Sequence, residues 1–303
     1  MLRVDVSEKR KSRGILLRHD NDRIRILAAV ERKGALFEVR RTIIITLSLA
    51  MLLAPPLLGW VRLDLWGGAH RLLGEQVNAL TATKGFVVAM ALLWGLTFAS
   101  NVVVGRFFCG WGCPVGYVSR LGEHVTLAKS RFAKAWHHLA GAGFAATFVA
   151  AVMLWWVDPV VLIDGDLRAK GIVVGVFVLL CIGARLHASR WRFGFCLGAC
   201  PIGLYYRLVT SKAPIGIAFS EVPDPCIACH ACEKVCPVDL DPKRLGEEIE
   251  AAPDTVDGPP LRYGDAECIR CGDCVEACRM VFLPRPQAVP PLRFGFERTH
   301  FDV

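Results

Sequence analysis

The chain lacks the features of a secreted protein and of a nucleic-acid-binding protein. Its first 41 residues contain no uncharged apolar run, so a cleaved signal peptide is not expected. Its 13 cysteines are clustered rather than scattered, which argues against a disulfide framework. The net charge of +8 comes from basic residues beside apolar segments, which argues against a nucleic-acid-binding face. The apolar segments also lack a histidine pair placed to hold a b-type haem.

Apolar residues are abundant, at 53% of the chain with a mean hydropathy of +0.41. Segments 42–61, 85–104 and 139–157 each carry about 20 residues without a charge, enough for a helix to cross a hydrocarbon core of ~30 Å. Segment 171–184 gives only 14 such residues, so a buried or re-entrant helix is its alternative. Pro55 and Pro56 predict a kink in the first helix.

Lysine and arginine are concentrated on one side of these segments. Residues 1–41 hold 12 of them and residues 105–137 hold five, whereas loops 62–84 and 158–170 hold three and two. The positive-inside rule therefore predicts a multi-pass protein of the bacterial cytoplasmic (inner) membrane with both termini cytoplasmic. On the outer side, solvated loop positions are a better expectation than proton-handling roles for Asp64, His70, Asp158, Asp164 and Asp166.

One segment occurs twice. FFCGWGCPVGYVSRL at 107–121 is followed, 87 residues later, by GFCLGACPIGLYYRL at 194–208. The same offset relates the second apolar segment to the fourth, which predicts a tandem two-helix repeat. Because two spans return the chain to its starting side, both CxxxCP motifs are expected at the cytoplasmic face.

The CxxxCP motifs contain four candidate redox or metal-binding thiols: Cys109, Cys113, Cys196 and Cys200. A proline after each pair is expected to open a helix, and a thiol near a helix N-terminus beside arginine favours the thiolate. The four thiols are candidates to bind a metal or a further cluster, or to act as a dithiol pair. The alternative is that they are packing residues at a tight turn.

Beyond residue 212 the apolar runs stop and eight cysteines follow in two C-x2-C-x2-C-x3-C motifs. In two-cluster ferredoxins the fourth cysteine of such a motif ligates the other cluster. The spacing predicts two [4Fe–4S] clusters, with zinc as the alternative metal. The expected ligands of cluster 1 are Cys226, Cys229, Cys232 and Cys278. The expected ligands of cluster 2 are Cys268, Cys271, Cys274 and Cys236.

Two residues beside the predicted ligands, Arg279 and His230, are candidates to affect cluster 1. Arg279 follows the last cysteine, where a proline is usual, and is expected to loosen the turn and to place a cation near cluster 1. His230 lies between two predicted ligands, but an exposed loop histidine is expected rather than a ligand.

These patterns predict a polytopic α-helical membrane protein with four transmembrane helices in a tandem two-helix repeat. A C-terminal α+β ferredoxin-like domain with two [4Fe–4S] clusters is expected to follow. The predicted domains are a basic cytoplasmic arm (1–41), a four-helix membrane domain (42–212) and the ferredoxin-like domain (213–303).

The doubled CxxxCP motif, joined to four spans and a two-cluster domain, resembles the NapH/MauN-type membrane ferredoxins over residues 40–285. The resemblance implies oxidation of membrane quinol and transfer of the electrons to a partner ferredoxin, cytochrome or reductase. As an enzyme, such a protein is a quinol dehydrogenase component, and its other partners are membrane lipid and the quinone pool. The alternative is a membrane polyferredoxin that reduces a metal or cysteines during maturation of another metalloenzyme.

Overall fold

The computed structural model describes residues 35–127, 130–191, 193–209, 215–221, 224–249, 261–264, 267–284 and 287–296. Contacts divide the chain into two compact units. The first, the apolar unit, comprises Arg41–Ser100 and Trp111–Arg192. The second, the cysteine-rich unit, comprises Met1–Arg40, Asn101–Gly110 and Phe193–Val303. The predicted basic arm lies almost entirely outside the described residues.

Long helices dominate the first part of the chain. In chain order, the long and short helices of this part are α1 (Ala35–Leu57), α2 (Ala79–Val104), α3 (Phe107–Trp111), α4 (Pro114–Leu127), α5 (Arg131–Met153), α6 (Val161–Asp164) and α7 (Leu167–Leu186). A short antiparallel sheet between α1 and α2 contains β1 (Val61–Arg62), β2 (Arg71–Leu72) and β3 (Glu75–Gln76). A π-helical turn, His187–Trp191, continues α7. Within the apolar unit, α5 packs against both α4 and α7.

Four described helices are long and apolar enough to cross a membrane. They are Glu38–Leu57, Ala79–Val104, Arg131–Met153 and Leu167–Trp191. The prediction of four apolar helices is confirmed, and the fourth is longer than its uncharged run because polar residues at both ends join the helix. Large side chains on these helices face outward, as lipid-facing positions require: Leu92 is 70% exposed, Leu96 71% and Leu179 67%.

The first helix differs from its predicted bounds. It ends at Leu57, so Pro55 and Pro56, which were expected to kink the helix, lie in its last turn. Gly59, with φ of +69°, closes the helix, and the N–H of Trp60 donates to the carbonyl of Pro55 at 2.8 Å. Residues 61 and 62 are therefore free to form β1.

A buried ion pair joins the two loops that were expected to be solvated. Arg62 on β1 pairs with Asp158, and only 6% and 8% of their side chains are exposed. The other oxygen of Asp158 accepts the N–H of Val160 at 3.0 Å. The expectation that Asp158 is a solvated loop residue is therefore wrong. The sequence alone did not reveal the pair, because 96 residues of chain separate Asp158 from Arg62.

Asp64 is likewise buried, with 2% of its surface exposed. Burial raises its pKa, but the N–H groups of Gly67, Trp66 and Ala69, at 3.0–3.1 Å, outweigh burial and hold the pKa below its ordinary value. Asp64 therefore organises its own loop, and the expectation of a solvated side chain is wrong here too.

The cysteine-rich unit mixes short helices and strands. Its elements are α8 (Phe193–Gly198), α9 (Pro201–Val209), β4 (Ile215–Phe219), α10 (Ala231–Val235), a 3-10 turn (Pro242–Arg244), β5 (Glu248–Ile249), β6 (Leu261–Arg262), α11 (Asp273–Phe282) and β7 (Leu292–Phe296). Strands β4 and β7 pair antiparallel from Ile215 opposite Phe296 to Phe219 opposite Leu292. Helix α10 packs on α11, and α11 packs on β7. Segments 101–110 and 193–209, which were expected in the membrane domain, belong to this unit.

Replacement of Asp158 by alanine should leave the Arg62 guanidinium buried without its carboxylate. We expect the free energy of unfolding to fall by about 3–5 kcal/mol. Denaturation of the detergent-solubilised protein measures this loss. Asp164→Ala, at an exposed position, is the control and should change stability by less than about 0.5 kcal/mol. Equal stability of the two variants would contradict the buried pair.

Candidate functional site

The two C-x2-C-x2-C loops share one backbone conformation. In the first loop Ala228 and His230 adopt left-handed φ values of 52° and 55°; in the second, Arg270 and Gly272 do so at 52° and 80°. Three of these four residues carry a side chain, for which this conformation costs about 1–2 kcal/mol each. Such strain persists where the surrounding structure fixes the loop, and it is concentrated at functional sites. Each loop leads directly into a helix, α10 or α11.

The first cavity is lined by cysteines from both motifs. These cysteines are Cys226, Cys229, Cys232 and Cys278. Most of the remaining lining is apolar, including Phe219, Phe282 and Leu292, with His230 and Lys243 as the polar side chains. The structure therefore brings together the four cysteines that the spacing assigned to cluster 1.

A second cavity, of about 300 Å³, contains the other four cysteines. They are Cys236, Cys268, Cys271 and Cys274. The rest of its lining is apolar and includes Ile217, Val238 and Leu240. The N–H of Leu240 donates to Sγ of Cys236 at 3.3 Å, a contact that stabilises negative charge on the sulfur. The structure again brings together one predicted set.

The donor sets fit iron–sulfur clusters. Four thiols line each cavity, and thiolates are the ligands that such clusters require. Burial raises the pKa of Cys232 and of Cys236 to about 12, so these thiols stay protonated until a metal displaces the proton. Within the described ranges, no three His, Cys, Asp or Glu side chains close around one metal ion.

The chain departs from the expected turn after the last cysteine. Helix α11 runs through Cys278 to Phe282, so there is no turn for Arg279 to loosen, and that expectation is wrong. Arg279 needs its N–H for the helix, which a proline lacks. Its guanidinium pairs with the buried Glu276, with Nε donating to Oε2 at 3.0 Å, so its charge near the cavity is compensated.

His230 is an exposed loop residue, as expected. Its side chain is 56% exposed, and Nδ1 lies 3.0 Å from Oε1 of Glu233. Lys243 Nζ contacts the same oxygen at 2.7 Å. This surface triad lies beside the first cavity.

The CxxxCP motifs open helices at their prolines, as predicted. Helices α4 and α9 begin at Pro114 and Pro201. The carbonyls of the preceding cysteines accept the first helical N–H groups, from Tyr117 to Cys113 at 3.0 Å and from Leu204 to Cys200 at 2.8 Å.

The first cysteine of each CxxxCP motif lies within the cysteine-rich unit. Cys196 belongs to a buried core with Cys236, Ile269 and Cys271, and Cys109 packs against this core. Cys113 belongs to the apolar unit. The sequence grouped all four thiols together and did not relate any of them to the second cavity. The glycines beside Cys109 were the available signal, because glycine permits close backbone approach.

Two family models match the chain. Residues 218–279, which include all eight cavity cysteines, match the 4Fe-4S dicluster domain. Residues 86–132, which include Cys109 and Cys113, match a 4Fe-4S binding domain.

Several similar proteins are named as ferredoxin-type proteins. The chain is 26% identical over 185 residues to the ferredoxin-type protein NapH of Escherichia coli, an alignment covering 57% of this chain and 59% of NapH. It is 32% identical over 144 residues to the methylamine utilization ferredoxin-type protein MauN of Methylorubrum extorquens, covering 45% and 48%. NapH of Haemophilus influenzae is 25% identical over 252 residues, covering 76% and 82%. The chain thus spans about half to three fifths of the first two relatives, and no solved structure matches it.

Proline at position 279 should break α11 one residue after Cys278. Because the interior N–H is lost and the ring clashes with the preceding turn, we expect a cost of about 3 kcal/mol or more. The first cavity should then lose Cys278, the cysteine that α11 positions, and the iron content of the protein should fall. Iron and sulfide analysis of anaerobically purified Arg279→Pro measures this. Arg279→Ala keeps the N–H and should keep its iron; a full complement of iron in Arg279→Pro would refute the role of the continuous helix.

Proposed function

The comparisons support a NapH/MauN-type family for this chain, a membrane iron–sulfur electron-transfer protein, and on that premise we propose that it oxidises quinol and passes the electrons to a partner redox protein. The observation that carries the proposal is the arrangement of eight cysteines around two cavities in a chain with four membrane-length helices. Apolar helices give access to a lipid-dissolved reductant, and the cavities give its electrons a destination.

We assign the ligands from the cavity linings. Cys226, Cys229, Cys232 and Cys278 hold cluster 1, and Cys236, Cys268, Cys271 and Cys274 hold cluster 2. When bound, such clusters supply one-electron transfer at potentials set by burial and hydrogen bonding. Oxidation of one quinol releases two electrons and two protons, so two one-electron sites match one quinol. The chain itself lines the cavities mostly with apolar side chains and orients the cysteines through the strained loops.

The distribution of basic residues supports an orientation with both termini in the bacterial cytoplasm, in the inner membrane. Both CxxxCP motifs follow a membrane-length helix and precede a proline-initiated helix, which supports the tandem duplication. Their thiols are proposed as redox participants. A role in binding one metal ion has less support, because the described residues form no group of three or more suitable ligands.

The crossed ligand assignment predicts which cysteine variants resemble each other. Cys278→Ala should abolish the same electron paramagnetic resonance (EPR) signal as Cys229→Ala, although residue 278 belongs to the second motif. Cys236→Ala should abolish the same signal as Cys271→Ala. The reason is that each cavity takes its fourth cysteine from the other motif. Spectra of the four dithionite-reduced variants test this; pairing by motif instead would refute the assignment.

Anaerobic mixing with menaquinol or ubiquinol tests the activity. We expect about eight irons per chain and reduced-cluster EPR signals after mixing with one of the quinols. Redox-inactive methylated quinol is the control and should give no signal. Full iron content without reduction by either quinol would contradict quinol oxidation and would favour the maturation alternative.

A further inference from the structure

The segment that follows α2 lies directly against the loop that carries the second cavity's cysteines. A Cβ on Gly110 would lie 2.5 Å from the carbonyl oxygen of Ile269, 2.9 Å from Cα of Cys271 and 3.0 Å from its nitrogen. These distances are shorter than real Cβ contacts, and the atoms are backbone atoms that cannot rotate away. Only glycine therefore allows the two main chains to approach this closely.

A second glycine repeats this contact with the same loop. Gly105, with φ of +57°, would place a Cβ 2.6 Å from the guanidinium carbon of Arg270, the residue just before Cys271. Arg270 is 2% exposed and donates to the carbonyl of Ile215. Segment 105–110 thus contacts the loop that carries Cys271 through both of the segment's end residues, Gly105 and Gly110.

The thiols next to this contact are buried with the same cavity. Cys196 and Cys109 share a packed core with Cys236 and Cys271. Arg106, which is fully buried, joins the two CxxxC motifs, because its guanidinium donates to the carbonyl of Cys196 at 2.7 Å. The first cysteine of each motif, Cys109 and Cys196, therefore lies on the side of the second cavity.

The first cavity has a different environment. Its Cys229 is exposed, the neighbouring Ile227 is 43% exposed, and the His230 side chain is 56% exposed. In the described part of the chain, the core that contains Cys196 includes none of this cavity's cysteines. One cavity is therefore next to Cys109 and Cys196, and the other opens to solvent.

We propose that cluster 2 is the entry cluster, which exchanges electrons with the membrane helices through segment 105–110, and that cluster 1 is the exit cluster, which exchanges electrons with a soluble partner. The inference rests on the proposed electron transfer. Because electron transfer slows steeply with distance, the cluster next to the segment that continues α2 receives electrons first. The cluster with an exposed ligand then meets the soluble partner. Each electron leaves quinol, reduces cluster 2 and then moves to cluster 1.

The wild-type protein tests exposure without any substitution. Ferricyanide, a water-soluble oxidant, should destroy cluster 1 before cluster 2. The EPR signal that remains should be that of cluster 2, which is the signal absent from Cys271→Ala. Loss of the cluster 2 signal first would overturn the proposal. This arm needs no quinol, so it keeps its meaning if quinol oxidation fails.

Gly110→Ala tests the contact, and Gly198→Ala is its matched control. Gly198 lies within the second CxxxC motif, but a Cβ there would meet nothing within 4 Å. We expect Gly110→Ala to shift the midpoint potential or line shape of cluster 2 and to leave cluster 1 unchanged. Gly198→Ala should leave both signals as in the wild type. A change confined to cluster 1 in Gly110→Ala, or equal changes in both variants, would overturn the proposal.

Rapid-freeze EPR after mixing with quinol gives the order of reduction. In the wild type the cluster 2 signal should precede the cluster 1 signal. In Gly110→Ala reduction of both clusters by quinol should slow by about tenfold or more, since a small misplacement near reacting groups has effects of this order. Reduction by a soluble viologen radical should stay at the wild-type rate, because that reductant reaches the exposed cluster. Cluster 1 reduced first by quinol would overturn the proposal, whereas no reduction of either cluster would refute the proposed function instead.

Discussion

Exchange of the fourth cysteine between the two motifs is the constraint on which the cysteine-rich unit depends. Each cavity takes three cysteines from one loop and one from beyond the other loop, Cys278 in the first case and Cys236 in the second. Neither cavity is complete unless α10 and α11 pack together and β4 pairs with β7. Packing and ligand geometry are therefore a single requirement, and a change that separates the helices removes a ligand from both cavities at once.

The sequence was most informative where spacing fixes geometry. The two C-x2-C-x2-C-x3-C motifs predicted which cysteines would meet, because a loop of this length leaves its fourth cysteine pointing away from the first three. Uncharged length predicted four membrane-length helices, and the prolines at 114 and 201 predicted where two helices begin. Each of these features depends on residues that are close in sequence, and the internal repeat supported the weakest of them.

Two of the misses came from partners that are distant in sequence. Asp158 was expected in solvent because its neighbours are loop residues, but Arg62 lies 96 positions away. Gly110 had no visible partner, because the backbone it contacts lies near residue 270. Arg279 was expected to loosen a turn, because a proline is usual at this position. In the structure Arg279 continues a helix and pairs with Glu276, and these two contacts explain an arginine there. In the first two cases one side of a contact was visible and the other was not.

Crossed ligation also has a consequence for biosynthesis. The cysteine that completes the first cavity is Cys278, so the ribosome must make both cysteine motifs before that cavity can close. Until then Cys226, Cys229 and Cys232 form an incomplete set that offers iron only three sulfurs. The membrane helices are synthesised and inserted long before this point. Cofactor loading therefore follows synthesis of the membrane helices. Because Cys274 completes one set and Cys278 the other, both sets are made within about a second of each other at ribosomal speeds of about 5–20 residues per second.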